Sequence, residues 1–507
     1  MLIIDCHVHP TPGRDYFAEG EHLMQHMRQH GIAMLLASDL GDGWLQFPDS
    51  ATVKAANLRM RELAATHAPA LQYLVYLNPQ QADWHEELAA HAATAVGVKL
   101  WISLKAPDGS LDRAVAVLRA AAELNRTVLI HTYHRTDDNL PGEIDLDDLI
   151  ALGDAVPECR IVAAHSGGNW RQAIARKERT PANVRFDISG GYPERGMVRQ
   201  LVDAFGAERI LYGSDAPGRS FGSQLIKVAE AGLTAAELEL VFHTNAMRLF
   251  QLEAACAQLP AVTAPEGCGV LPDRPLPESA EDHFCFAGQA PCWAQAATAA
   301  ELAAELERHR VTAAYAVGLE TIFAADRLAA NRDWQKTAAR FPAIRPLAAV
   351  DPRDPAATRQ LEALAGFAGV WVSPYLHHYD LNDPAFGWFW ETCAARRIAL
   401  WINAALSDDR FRAQELVTGP VTEENLRTFM RRAPGNRYVV QGMTDLAALT
   451  AAAPEGWRYE DSKLSDGEYV AERFFATGMG RAAGLVRGSE YPFRVYHAVD
   501  DVLYGRI

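Results

Sequence analysis

No apolar run in this chain comes near the roughly 18–20 residues that a membrane-spanning helix needs. No basic, apolar leader precedes "MLIIDCHVHP", so a cytoplasmic protein without a membrane partner is expected. The seven cysteines include no C-x-x-C pair; an odd, scattered set excludes a disulfide framework and fits a reducing compartment. Positive charge is in deficit. With 48 Lys and Arg against 64 Asp and Glu, the net charge of −16 argues against nucleic acid and anionic membranes as partners. What is present is 507 residues, 49% hydrophobic and 22% charged. That is enough for two globular domains of about 250 residues each.

The first half alternates short Val/Ile/Leu-rich runs with longer amphipathic stretches, the pattern of βα units around a parallel sheet. Candidate strands are 2–8, 32–38, 71–77, 96–101, 127–132, 160–165, 183–188 and 209–213, with helical spacing between them. Eight strands predict a (β/α)8 TIM barrel over residues 1–255, sealed by a helix near 234–250. Residues 256–282 are rich in proline and lack periodicity, as in a linker. Order returns over 283–507 and echoes the first half: residues 329–353 resemble 55–80, and "GSEYP" answers "GSDAP". The 32 residues from Lys99 to His131 are matched by 32 from Trp371 to Asn403. An internal duplication, with a second, degenerate barrel, is the expectation.

"IDCHVHP" sets His7 and His9 two apart on a strand, so both imidazoles leave the same face and can grip one divalent ion. His131 closes the run "TVLI", His165 closes "RIVAA" and Asp215 follows "ILYGS". Each polar group emerges where a buried strand ends, which in a (β/α)8 barrel is the catalytic face. Singly, each has a plainer reading: an H-x-H pair is common, a buried histidine can serve packing alone, and Asp215 before Pro217 suits a turn. Lys99 in "GVKL" has three uses open to it: a ligand after carboxylation, a contact for an acidic group of the substrate, or a pair with a neighbour. His134, three residues past His131, is a candidate substrate contact or an exposed loop residue. His22, His26 and His30 line one helix face without a carboxylate and read as a surface stripe. Cys6, alternating with the histidines, is expected to point outwards into the sheet–helix layer.

The set "DCHVH", "GVKL", "VLIHT", "AAHSGG", "LYGSDAP" and "TNAMRLF" resembles the amidohydrolase superfamily, and within it the amidohydrolase-related (family 2) branch, which also holds decarboxylases. The resemblance covers about residues 1–252. It implies that His7, His9, His131 and Asp215 hold a divalent metal, zinc first and manganese second. It also implies that His165 polarises the substrate, assists proton transfer or binds a second ion, and that Asp215 doubles as general base. Hydrolysis of an amide, lactone or ester of a small molecule is the expected reaction. The alternative is non-oxidative decarboxylation of an aromatic or unsaturated acid, and a third reading is a non-catalytic metal-binding or regulatory protein.

In the second half Trp371 stands for Lys99, Asn403 for His131, about Gly442 for His165, and Glu490 for Asp215. Phe284 and Phe286, or Phe286 and Gly288, replace the H-x-H pair. Seven of eleven tryptophans lie beyond residue 290, which suggests an abandoned pocket refilled with rings. A non-catalytic pseudo-dimer partner within the chain is expected, with further homodimerisation open. The competing reading is a second catalytic domain built on His377, His378 and Asp380.

Overall fold

Continuous Val, Ile and Leu runs make strands that are buried on both faces. In the first half these are β1 (Ile4–Val8), β2 (Met34–Ala37), β3 (Leu71–Leu77), β4 (Gly97–Leu100), β5 (Thr127–Ile130), β6 (Ile161–Ala163), β7 (Val184–Asp187) and β8 (Ile210–Leu211). All eight fall in the predicted segments and pair in parallel, in sequence order. The sheet closes on itself. Cys6 N–H donates to Tyr212 O at 3.1 Å, Asp215 N–H to His7 O at 2.8 Å and His9 N–H to Ala216 O at 2.8 Å. The result is a (β/α)8 barrel without a free edge. The computed structural model describes residues 2–10, 16–135, 138–191, 194–219, 221–229, 231–259, 280–290, 296–308, 311–404, 421–432, 437–441, 457–460 and 485–486.

The barrel has two apolar layers. Outside, Leu35, Val75, Val98, Val128 and Ile161 pack against Met24, Met60, Leu118 and Leu149 of the surrounding helices. Inside, Ile4, Cys6, Leu36, Leu74, Leu129 and Leu211 meet Ala246, Leu249 and Phe250 of the helix Asn245–Phe250, which seals one end. Each fully buried side chain of this size contributes about 1.5–3 kcal/mol. Cys6 therefore belongs to the inner cluster and not to the sheet–helix layer. The register of β1 against β2 shifts between Asp5 and Val8, and that shift breaks the simple alternation. The stripe expected of His22, His26 and His30 is also uneven: His22 is exposed, whereas His30 is buried with Nδ1 on the His26 carbonyl.

The second half forms another eight-stranded parallel sheet in sequence order. Its strands are β9 (Ala280–Ala287), β10 (Val311–Gly318), β11 (Ile344–Ala349), β12 (Gly369–Val372), β13 (Ala399–Asn403), β14 (Arg437–Gln441), β15 (Trp457–Glu460) and β16 (Leu485–Val486). The chain divides into two compact units, one carrying β1–β8 and the other β9–β16. Of the linker expected at 256–282, residues 260–279 lie outside the described residues; Cys256 ends a short helix and β9 already begins at Ala280. Among the described residues no helix is long and apolar enough to cross a membrane.

Three local devices recur in both units. Asp5 Oδ1 accepts the His7 N–H at 3.1 Å, and Asp282 Oδ1 accepts the Phe284 N–H at 3.0 Å. By this bond Phe284 and Phe286 stand to Asp282 as His7 and His9 stand to Asp5. Asn57 makes a reciprocal pair with the Tyr76 backbone at 2.8 Å on both sides, and Asn331 does the same with Ala349 at 2.9 and 3.1 Å. Finally, a Cβ on Gly97 would stand 2.8 Å from the Thr127 carbonyl, and one on Gly369 would stand 2.5 Å from that of Ala399. Only glycine opens β4 and β12 at such close approach.

The interiors differ. Phe284, Phe286, Leu347, Trp371 and Trp401 form one cluster inside the second sheet. Trp371 is fully buried and its Nε1 donates to Gln441 Oε1 at 3.1 Å. The alternative trio does not converge: His377 is buried with Nε2 on the Ile322 carbonyl, whereas His378 and Asp380 are exposed. Gly442 and Glu490 lie outside the described residues.

Candidate metal centre

At the C-terminal ends of the strands, His7 Nε2 and His9 Nε2 face each other at 2.9 Å. Asp215 Oδ1 stands 3.9 Å from the first and 3.7 Å from the second. Three ligands held tetrahedrally about 2.1 Å from one ion lie roughly 3.4 Å apart, so these separations bracket a common cation. The tautomers agree. His7 Nδ1 faces Asp187 Oδ2 at 2.9 Å, and His9 Nδ1 faces the Ser38 carbonyl at 2.9 Å. Both acceptors call for Nδ1–H, which leaves two bare lone pairs opposed at Nε2. The Lys99 ammonium, with Nζ 2.8 Å from His7 Nε2, meets one of them, and a cation between the rings would meet both. Asp215 reaches its place with φ of 66°, a left-handed conformation uncommon for a residue with a side chain.

His165 also has a left-handed backbone, with φ of 55°. Its Nδ1 lies 3.1 Å from Ser189 Oγ, and its ring centroid is 5.2 Å from that of His7. Gly190 makes room for it, because a Cβ there would sit 2.5 Å from His165 Nδ1. His131 follows Leu129 by two residues and so shares the inner face, but its Nε2 is turned to Glu143 Oε1 at 2.9 Å. Nδ1 is the ring atom it can offer a cation. Burial pushes His7, His9 and His165 well below the ordinary imidazole range, with the Lys99 charge adding to it at His7 and His9, and it lowers His131 too. Neutral imidazoles are the ligating form.

Lys99 is wholly buried, with Nζ 2.8 Å from His7 Nε2. It points into the ligand cluster. Burial lowers its pKa to about 8, against the pull of Asp215 and Asp187. His134 is half-buried in the loop after β5 and is not one of the groups that converge on His7.

Four participants escaped the sequence reading. Asp187 and Ser189 fasten His7 and His165, Ser38 fastens His9, and Glu143 fastens His131. Asp187 ends β7 as the other site groups end theirs, so the same positional signal points to it. Burial works against ionising Glu143, but hydrogen bonds from His131 and Arg135 outweigh it and hold its pKa at about 2. Asp5, beside the site, is driven up to about 7 by burial, despite hydrogen bonds from Ser214 and His7.

Residues 4–252 match the family described as amidohydrolase. The N-terminal half of the chain belongs to this family, and its barrel is a metal-dependent enzyme by family and by donor set. No curated protein matches the chain. Among solved structures it is similar to 2,6-dihydroxybenzoate decarboxylase from Rhizobium, with 18% identity over 50% of this chain and 99% of that one and a TM-score of 0.41. It is similar to 4-oxalomesaconate hydratase from Rhodopseudomonas palustris, at 17% identity, 50% and 98% coverage and a TM-score of 0.41. A third is a dihydroxybenzoic acid decarboxylase from Polaromonas sp. JS666 with bound manganese, at 16% identity, 50% and 97% coverage and a TM-score of 0.38.

Proposed function

We propose that the N-terminal unit hydrolyses an amide, lactone or ester bond of a small molecule, using one divalent ion, zinc before manganese. The observation that carries this is the opposed Nε2 pair of His7 and His9 with the Asp215 carboxylate beside both. A divalent ion held there supplies a Lewis acid for a carbonyl and brings the pKa of water towards about 7. The Asp215 side chain is 26% exposed, the one member of this trio open to solvent, and is placed to take a proton from an attacking water. His165, its ring centroid 5.2 Å from that of His7, serves the substrate carbonyl or the leaving group. Lys99, beside His7, adds positive charge on the side where negative charge develops.

The second unit is, on this reading, a degenerate copy of the first with no metal site of its own. The recurring Asp, Asn and Gly devices support descent from one barrel, and the aromatic interior supports loss of the ligands.

The test is metal-loaded protein offered a panel of lactones, amides, esters and aromatic acids in 18O-water. Label in a product carboxylate without carbon dioxide release is expected. Carbon dioxide from an acid with no label incorporated would replace hydrolysis with decarboxylation. Zinc binding well below half an equivalent, with no turnover of any member, would favour a regulatory protein.

A further inference from the structure

Asp187 is buried completely at the end of β7, and both of its carboxylate oxygens are committed. Oδ1 accepts the His165 backbone N–H at 3.1 Å, the Ser189 backbone N–H at 2.9 Å and the Ser189 hydroxyl at 2.5 Å. Oδ2 faces His7 Nδ1 at 2.9 Å. Ser189 Oγ, its hydrogen given to Asp187, turns its lone pairs to His7 Nδ1 at 2.9 Å and His165 Nδ1 at 3.1 Å. Every group on this side of the two rings is therefore an acceptor.

We propose that Asp187 is a positioning residue that keeps the proton on His7 Nδ1 and, through Ser189, on His165 Nδ1, so that each ring keeps a bare Nε2, which on His7 faces the candidate cation place. The inference rests on the metal centre described above and is independent of whether the reaction is hydrolysis or decarboxylation. Its logic is one of hydrogen-bond parity. A carboxylate can only accept, so a ring nitrogen facing it must donate. An asparagine of the same shape cannot do both jobs. Three donors converge on the Oδ1 position, so the amide oxygen must sit there and the NH2 must face His7. His7 Nδ1 then becomes an acceptor, its proton moves to Nε2, and the metal-binding nitrogen is capped. The steric change is negligible; the tautomer is reversed.

The test is zinc affinity by chelator competition on the full-length chain, with far-UV circular dichroism and thermal melting as folding controls. Asp187→Asn is expected to fold and to weaken zinc about 100-fold, the upper end of what outer hydrogen-bond partners of metal ligands contribute. Asp187→Ala leaves Nδ1 able to keep its proton and is expected to weaken zinc less, about tenfold. A role in packing alone predicts the reverse order, because alanine loses the most contacts. A folded Asp187→Asn protein with affinity within about threefold of the parent, or alanine weaker than asparagine, overturns the proposal. If neither variant folds, Ser189→Ala decides: about tenfold weaker zinc supports the proposal and unchanged zinc overturns it. A parent protein that binds no zinc or manganese overturns the metal reading itself, a separate result.

Discussion

The barrel and the second parallel sheet share the same backbone fastenings and differ in what those fastenings hold up. An aspartate latches the first strand in each, at His7 in one and Phe284 in the other. An asparagine ties a helix to the third strand, and a glycine opens the fourth. At the strand ends, imidazoles and a carboxylate converge in the first unit, while Phe284, Phe286, Trp371 and Trp401 pack together in the second. The shared fastenings and the differing interiors sit on different residues. Hydrogen bonds between main chain and side chain brace each sheet, and the inward positions carry candidate ligands in one and packed rings in the other.

The sharpest way to break this comparison is to remove a ligand from one unit and its counterpart from the other. His9→Ala is expected to drop bound zinc from about one equivalent per chain to near zero and to abolish turnover, whereas Phe286→Ala leaves metal content unchanged. Elemental analysis and kcat/KM measure both. Protons should compete weakly. Burial holds His7, His9 and His165 neutral well below the usual imidazole pKa, so the folded state binds fewer protons than the unfolded chain. The metal-free fold therefore gains stability from these groups as pH rises and has it in full above about 6.5, and zinc release on acidification should have its midpoint below that value. A midpoint above neutrality would contradict the burial.

Next in size is Asp215→Asn. With saturating zinc it is expected to cut kcat by about 10²–10⁴ while a bound product analogue keeps its affinity. A loss confined to KM would make Asp215 a binding group and leave the base unassigned.

The barrel itself was legible because its strands are unbroken apolar runs, and the candidate site positions were legible because they lie where such runs end. The failures have physical causes. Cys6 was misplaced because a register shift inside β1 leaves no mark on the letters. Asp187 carries the strand-end signal and was overlooked, whereas Ser189 has no such mark and its partner, His7, lies 182 residues away. Glu143 sits in a loop, where no periodicity distinguishes a buried carboxylate from a solvated one. The aromatic interior of the second unit was legible at Trp371, and its truncation gives the fourth prediction. Trp371→Ala removes a ring buried completely among Phe286, Trp401 and Leu347. It should cost the second unit about 3–5 kcal/mol in denaturant unfolding. Zinc content and kcat/KM, measured well below the transition, should not change.

The smallest expected effect sharpens the comparison where the units agree. Asn57 and Asn331 are both buried, and each satisfies one backbone N–H and one carbonyl of the neighbouring strand. Truncation to alanine strands those two groups away from water, at about 1–3 kcal/mol for the site. Asn57 also donates to Glu87 at 3.0 Å, a contact with no counterpart found for Asn331 among the described residues. Asn57→Ala should therefore sit at the upper end of that range and Asn331→Ala at the lower, each read as a shift in the unfolding midpoint of its own unit. Equal losses would mean that the Glu87 bond adds nothing. A neutral Asn331→Ala would mean that the second unit has kept the geometry of the brace after its energetic need was gone.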